Sequence, residues 1–238
     1  MKKNDKPFKR YASDGIHEKV MEIMERLPKG LVLDIPAGQG ALSSDLEKSG
    51  NCVVPGDLEA VNILYRNRRA AQLDLNQFLH FREGAFDHVV CIEGIEHIEN
   101  PHQLARECAR VLKKVGYLVI STPNVMTIKS RLRFLFHHYL DFFKYFGPIP
   151  AGAKHRIEEN DQFHINPVFY GEMKYLPEKA GFTIVAVETN RKVRRGGFLY
   201  SLIKWFVKKK TGKRFAFDPL YLSDTLLEGE DLIFVARR

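Results

Sequence analysis

Apolar positions recur along the chain in two alternating rhythms. Val20, Ile23, Met24 and Leu27 fall three or four residues apart until Pro28 and Gly30 break the pattern, which predicts an amphipathic helix over about 13–27. Leu31-Val32-Leu33-Asp34-Ile35 is short, apolar and bounded by breakers, so it reads as a buried strand leading into the turn Pro36-Ala37-Gly38-Gln39-Gly40. A helix follows through Leu46. Cys52-Val53-Val54 predicts a second strand ending at Gly56-Asp57, and Phe86-Asp87-His88-Val89-Val90-Cys91-Ile92 a later one. The spacing of Leu104, Cys108, Val111 and Leu112 predicts a helix over 104–114, ended by Val115-Gly116 before the strand Tyr117-Leu118-Val119-Ile120-Ser121. A helix over 168–180, a strand over 182–187 and a last strand over 232–236 complete the pattern. Strands alternating with helices in this way predict the doubly wound α/β class, a parallel sheet covered on both faces. Two stretches, about 125–166 and about 191–230, are far longer than ordinary connections and read as functional insertions in one domain spanning 1–238.

Composition agrees with a folded domain: of 238 residues, 45% are hydrophobic and 28% charged, which excludes disordered and fibrous classes. The formal net charge of +8 favours an anionic partner, but its location narrows that statement. Between Glu188 and Asp218 there is no acid, and ten Lys and Arg residues lie in the gap, so the remainder of the chain is slightly acidic. A diffuse nucleic-acid-binding body is therefore not expected. Cys52, Cys91 and Cys108 show no paired spacing, which fits a reducing, cytoplasmic setting. No apolar stretch reaches the roughly 18 residues of a membrane span, and no signal-peptide pattern follows the basic N-terminus.

A glycine-bearing turn after the first strand places backbone N–H groups and a helix N-terminus at the carboxyl edge of the sheet, where open α/β sheets bind ligands. Position 43, where a nicotinamide-cofactor fingerprint would carry a third glycine, is Ser. Asp57, at the end of the second strand, is placed to accept both hydroxyls of a ribose, and Asp74-Leu75 falls at the interval expected for the end of a third strand. With Phe86-Asp87-His88-Val89-Val90-Cys91, Arg110-Val111-Leu112-Lys113-Lys114-Val115-Gly116 and Ser121-Thr122-Pro123-Asn124, these segments resemble the class I S-adenosylmethionine-dependent methyltransferases, in the group of the type 11 domain and the ubiquinone-biosynthesis O-methyltransferases. Val32-Leu33-Asp34-Ile35-Pro36-Ala37-Gly38-Gln39-Gly40 matches the first motif of that family, with Pro36 in place of its first glycine. The resemblance implies a Rossmann-like, seven-stranded, mostly parallel sheet with its last strand antiparallel. It also implies S-adenosylmethionine as cofactor, with Asp34 ordering the loop, Pro36, Ala37, Gly38 and Gly40 approaching the cofactor, Asp57 and Leu58 at the ribose, Asp74 and Leu75 at the adenine, and Cys91 on the fourth strand nearby.

Methyl transfer from a sulfonium needs an aligned acceptor and, for a hydroxyl, a base. Glu93-Gly94-Ile95-Glu96-His97 follows the fourth strand directly, which makes His97 the candidate base. No metal is expected; were one bound, Glu93, Glu96 and His97 would hold it, with His155 or His164 from the first insertion as a further ligand. In that insertion Ile128, Leu132, Leu135, Phe136, Tyr139, Phe143 and Phe146 predict an aromatic helical lid. In the second, Leu199, Leu202, Ile203 and Phe206 form one stripe beside Trp205, with Lys204, Lys208, Lys209 and Lys210 on the polar side, which suits an anionic membrane surface met through 191–214. The expected acceptor is a small, glycan or lipid-linked molecule at the inner face of the cytoplasmic membrane. Two alternatives stay open: an RNA 2′-O-methyltransferase and a non-catalytic cofactor-binding protein.

Overall fold

The computed structural model describes residues 8–65, 69–143, 164–192 and 197–238. Seven strands, β1 (Leu31–Asp34), β2 (Cys52–Asp57), β3 (Ala71–Gln72), β4 (Phe86–Cys91), β5 (Leu112–Pro123), β6 (Thr183–Glu188) and β7 (Asp231–Arg237), form one sheet of order β3-β2-β1-β4-β5-β7-β6. β1 to β5 run parallel, and β7 lies antiparallel between β5 and β6, as the family resemblance implies.

The unbroken apolar runs are explained by burial on both faces, since successive strand residues point to opposite sides. Val32, Val53, Val90 and Val119 meet α1 (Ile16–Glu25) and α2 (Ala41–Lys48), where Ile16, Val20, Ile23, Leu42 and Leu46 complete one core. Their neighbours Leu33, Val54, Val89 and Leu118 meet α3 (Pro101–Val111) and α5 (Tyr170–Lys179) in the other, with Leu104, Cys108 and Met173. Each fully buried Leu or Phe here contributes on the order of 2–3 kcal/mol. α3 starts where the Asn100 side chain accepts from Gln103 N–H, with Pro101 in its first turn.

Three elements depart from the expectation. The helix expected over 104–114 ends at Val111, because Leu112 is fully buried opposite Phe86 in the sheet. Pairing resumes at His88 and Tyr117, so the four residues between form an irregularity whose Lys113 reaches Asp87 at 2.7 Å. The third strand is only two residues long, and Asp74 lies beyond it. In the first insertion α4 (Ile128–His137) stops at His138, whose φ of 61° is left-handed, so the expected aromatic stripe does not continue as helix. Only its first turn packs on the core; Leu135 and Phe136 are exposed, and Phe143 is buried from a turn instead. Tyr145, Phe146 and His155 lie outside the described residues.

The second insertion forms α6 (Phe198–Arg214), a turn and the short α7 (Asp224–Glu228). Lys204 bonds Asp224 and Glu228 at 2.9 and 2.7 Å, Lys208 bonds Asp224 at 3.0 Å, and Arg191 pairs with Glu230. The acids that follow the charge gap thus fold back on it, and the paired lysines hold the helix to the body rather than forming a free basic face. Lys204 first, then Lys208, brings the Asp224 carboxyl down to about 2. Outward-facing instead are Phe198, Leu199, Leu202, Trp205 and Phe206, 47–86% exposed, with Lys209 and Lys210 over the Trp205 and Phe206 rings. Among the described residues no helix is long and apolar enough to cross a membrane.

Asn124 ties this insertion to the sheet: its buried amide donates to the Leu226 and Gly229 carbonyls at 3.0 and 2.8 Å. Asn124→Ala strands both carbonyls and is expected to lower unfolding stability by about 2–4 kcal/mol in urea titration; a loss below about 0.5 kcal/mol would contradict this role.

Candidate active site

The loop after β1 emerges where chain direction over the sheet reverses, between β1 and its neighbours β2 and β4. Its backbone is stitched to β2: Ala37 N–H donates to the Gly56 carbonyl and Gly38 N–H to Asp57 Oδ2, each at 2.8 Å. Gly40 has φ of 84° and opens α2, and a Cβ there would lie 2.4 Å from that of Tyr65, so only glycine fits. Pro36, which departs from the family motif, packs where Gly94 has no side chain; a Cβ on Gly94 would come 2.6 Å from Pro36 Cδ. Ser43 has a positive role as well: its hydroxyl donates to the buried Asp34 carboxylate. Burial pushes the Asp34 carboxyl up to about 7, the Ser43 hydroxyl opposing and the Asp57 charge adding to the shift.

A cavity of about 490 Å3 opens above this loop. One end is walled by Asp34, Pro36, Ala37, Gly38, Asp57 and Leu58, all expected from the sequence, and the other by Glu93, His97 and His164. Gly40, also expected at the cofactor, is not in the wall; it opens α2 against Tyr65. Asp74, Leu75 and Cys91 are not in the wall: Leu75 and Cys91 pack in the core, and Asp74 accepts from Asn76 N–H at 2.8 Å in a turn after β3. Among the wall residues that were not anticipated are three from the N-terminal segment and α1. Tyr11 lies against Gly38, whose added Cβ would be 3.2 Å from the ring; Lys9 N–H donates to Gln39; and His17 of α1 is 8% exposed, with burial first and Arg10 next lowering its pKa. These contacts join residues about thirty positions apart, and no local pattern announces them.

The far end is built around the turn Ile95–His97 after β4. The Glu96 carbonyl accepts from both Ile165 and Asn166 N–H at 2.9 Å, which brings His164 beside His97 with ring centroids 4.6 Å apart. The Glu96 side chain is fully buried and neither carboxylate oxygen makes a hydrogen bond of good geometry; burial first, then Glu93, pushes its pKa well up against the opposing pull of its own N–H and the Thr122 hydroxyl. Glu93 turns away from this group. Its carboxylate accepts from Ser13 N–H and Oγ at 3.1 and 2.7 Å, next to Asp231, whose carboxyl burial and Glu93 together push upward. Among the described residues, Glu96, His97 and His164, not Glu93, Glu96 and His97, therefore form the cluster whose ligand atoms lie within 4.8 Å of one another. Burial, with His97 adding, lowers the His164 pKa to about 4, so this ring is neutral at physiological pH.

A mostly parallel sheet of this order with its last strand antiparallel, a glycine loop at its switch point and an acid at the end of β2 define the class I S-adenosylmethionine-dependent methyltransferase fold. The family model described as "Methyltransferase domain" matches residues 33–120 of the chain, the segment from β1 through most of β5. Among curated proteins it resembles the ubiquinone biosynthesis O-methyltransferases of Xanthomonas oryzae pv. oryzae, 34% identical over 134 residues, 48% of this chain and 56% of the relative, and of Xanthomonas campestris pv. campestris, 33% identical over 139 residues, 50% and 58%. The chain thus spans just over half the length of the curated relatives it matches. Among solved structures, an S-adenosylmethionine-dependent methyltransferase from Archaeoglobus fulgidus superposes with TM-score 0.60 at 18% identity over 93% of this chain and 94% of that one. A [4+2]-cyclase superposes with TM-score 0.56 at 16% identity over 95% and 84% of the two chains, so the fold alone does not choose the reaction.

S-adenosylmethionine is the cofactor this group implies, and the residues present fit it. The glycine loop leaves room for close approach, Asp57 offers a carboxylate at the cavity wall, and the volume lies within the usual range for ligand pockets. S-adenosylhomocysteine is expected to bind the wild type in calorimetry and to bind Asp57→Ala at least tenfold more weakly; equal affinities would remove the ribose assignment. Asp34 yields a pH prediction. Its folded pKa of about 7 lies above the roughly 3.9 of an unfolded Asp, so the folded state holds the extra proton and loses stability as pH rises from about 4 to about 7. Asp34→Asn lacks this loss, so its melting temperature should gain on the wild type across that window and run parallel above it; a constant difference from pH 4 to 9 would contradict the shift.

Proposed function

We propose that the protein transfers the methyl group of S-adenosylmethionine to a hydroxyl oxygen of a small, amphipathic acceptor, with His97 as the general base. One observation carries this reading: a single cavity joins the Asp57 end, suited to the nucleoside, to the His97 and His164 end. A cofactor held at the first end would leave its sulfonium side open to an acceptor at the second. The displacement needs alignment and removal of one proton, and an imidazole is the side chain whose ordinary pKa suits that transfer near neutrality. The name shared by the curated relatives, O-methylation in ubiquinone biosynthesis, supports a hydroxylated aromatic acceptor with an apolar tail.

The outward face of α6, with Phe198, Leu199, Leu202, Trp205 and Phe206 beside Lys209 and Lys210, supports acceptance at an anionic lipid surface. RNA as acceptor has less support, because Arg191, Lys204 and Lys208 are engaged by Glu230, Asp224 and Glu228 and are not spread over a phosphate-binding face. A second reading of the acceptor end rests on the buried oxygens of Glu96, which make no hydrogen bond of good geometry. Glu96, His97 and His164 would hold a divalent ion there, whose chemistry is to bind and acidify adjacent acceptor hydroxyls.

An assay with methyl-labelled S-adenosylmethionine and an alkylated catechol, free or carried in phosphatidylglycerol vesicles, tests these statements together. Labelled ether product is expected, His97→Ala is expected to lower kcat by about 100-fold, and joint Lys209→Glu and Lys210→Glu replacement is expected to slow only the vesicle-borne reaction. Absence of product from every hydroxyl acceptor, or a His97→Ala enzyme of wild-type kcat, would overturn the reading. Activity unchanged after exhaustive chelation would remove the ion.

A further inference from the structure

The loop that follows α4 carries two features that its position on the surface does not explain. Asp141 is 3% exposed although it is charged, and Phe142 holds a left-handed φ of 69° although it is not glycine. Asp141 is held from three sides by α4: its carboxylate pairs with Arg133 and, at 3.0 Å, with Lys129, while its N–H donates to Ser130 Oγ at 3.0 Å. Lys129 and Arg133 stand one helical turn apart on one face, so a single side of α4 grips the loop. Phe143, 5% exposed, anchors the next position and lies 5.3 Å from the His164 ring.

Between these two anchors Phe142 is held in a conformation that an aromatic residue adopts only under constraint. Its carbonyl lies 3.1 Å from His164 Nδ1. A carbonyl only accepts, so Nδ1 carries the proton and, in the neutral ring, Nε2 keeps its lone pair. His164 therefore presents a defined acceptor nitrogen in the cavity end it shares with His97.

We propose that Asp141 and Phe142 are positioning residues: clamped by α4, the Asp141-Phe142 loop turns one carbonyl onto His164 and so selects the ring orientation and the Nε2 lone pair with which His164 serves the acceptor site. The inference rests on the assignment of His97 and His164 to that site. It assigns the first insertion a role that burial alone does not, since α4 exposes most of its aromatic residues yet spends three consecutive or turn-spaced side chains on one loop residue. Outer partners that fix an imidazole in this way commonly change function by 10- to 100-fold when removed, without touching substrate themselves.

Long-range proton–nitrogen NMR of the 15N-labelled full chain reads the tautomer directly, with the His164 signals identified by their loss in His164→Gln. The wild type is expected to show His164 protonated on Nδ1. In Asp141→Ala, Asp141→Asn and Phe142→Val, the last because a β-branched residue resists this φ, the signal is expected to move to the commoner Nε2-protonated form or to an average. Phe142→Gly accepts a positive φ and is expected to keep the wild-type signal. Wild-type protonation on Nε2, or an unchanged signal in Asp141→Asn and Phe142→Val, would overturn the proposal. S-adenosylhomocysteine affinity, measured on the same samples, is expected to stay within twofold across the series. Its absence in the wild type would sink the methyltransferase reading while leaving the tautomer result to stand or fall separately.

Discussion

The hydrogen bond from Gly38 N–H to the Asp57 carboxylate, with its neighbour from Ala37 to Gly56, binds the first loop of the sheet to the end of its second strand. Everything at the site is measured from that stitch. It sets the height of the glycine loop above the sheet, leaves Asp57 at the cavity wall, and opens α2 at Gly40 in a conformation that side chains resist. The N-terminal segment then closes on the same loop through Lys9 and Tyr11 and on the loop after β4 through Ser13. Asp34, buried below, is the cost of this arrangement: a carboxyl held far above its ordinary range, with the Ser43 hydroxyl as its compensating partner.

The acceptor end is organised differently. There the sheet supplies only the turn after β4, and the rest comes from chain far away in sequence, through the paired N–H groups of Ile165 and Asn166 on the Glu96 carbonyl. The common fold thus provides the Asp57 end of the cavity and the turn bearing His97, while the first insertion adds His164. This division explains why structures at under 20% identity superpose over most of the chain and still include one named for a cyclisation. The charge distribution follows the same division. The late basic segment is tied to the body by acids beyond it, and what it turns outward is aromatic with two lysines laid over the rings.

Much of the sheet was legible in the sequence because two-sided burial writes strands as unbroken apolar runs, and Val32-Leu33 or Val89-Val90 serve both cores at once. Asp57 was legible because its distance from the glycine turn is set by one helix and one strand. The end of α3 was not, since Leu112 continues the helical spacing and is drawn into the sheet only by Phe86, a distant partner. Nor was the end of α4: aromatic residues go on recurring past His138, but the chain turns left-handed there and Asp141 folds back onto Lys129 and Arg133 of the helix. Asp74 and Leu75 fell at the right interval for a longer third strand than the chain forms. Ser13, Tyr11 and His17 gave no sign, because nothing in their own neighbourhood requires the contacts they make.

The central claim is that one cavity holds the nucleoside against Asp57 and directs the reactive end of the cofactor toward His97 and His164. A crystal structure of the full chain with S-adenosylhomocysteine tests this most directly. The ribose hydroxyls should lie within hydrogen-bond distance of the Asp57 carboxylate, with the sulfur facing the two imidazoles. Density for the ligand elsewhere, or with the sulfur turned away from His97, would contradict the account.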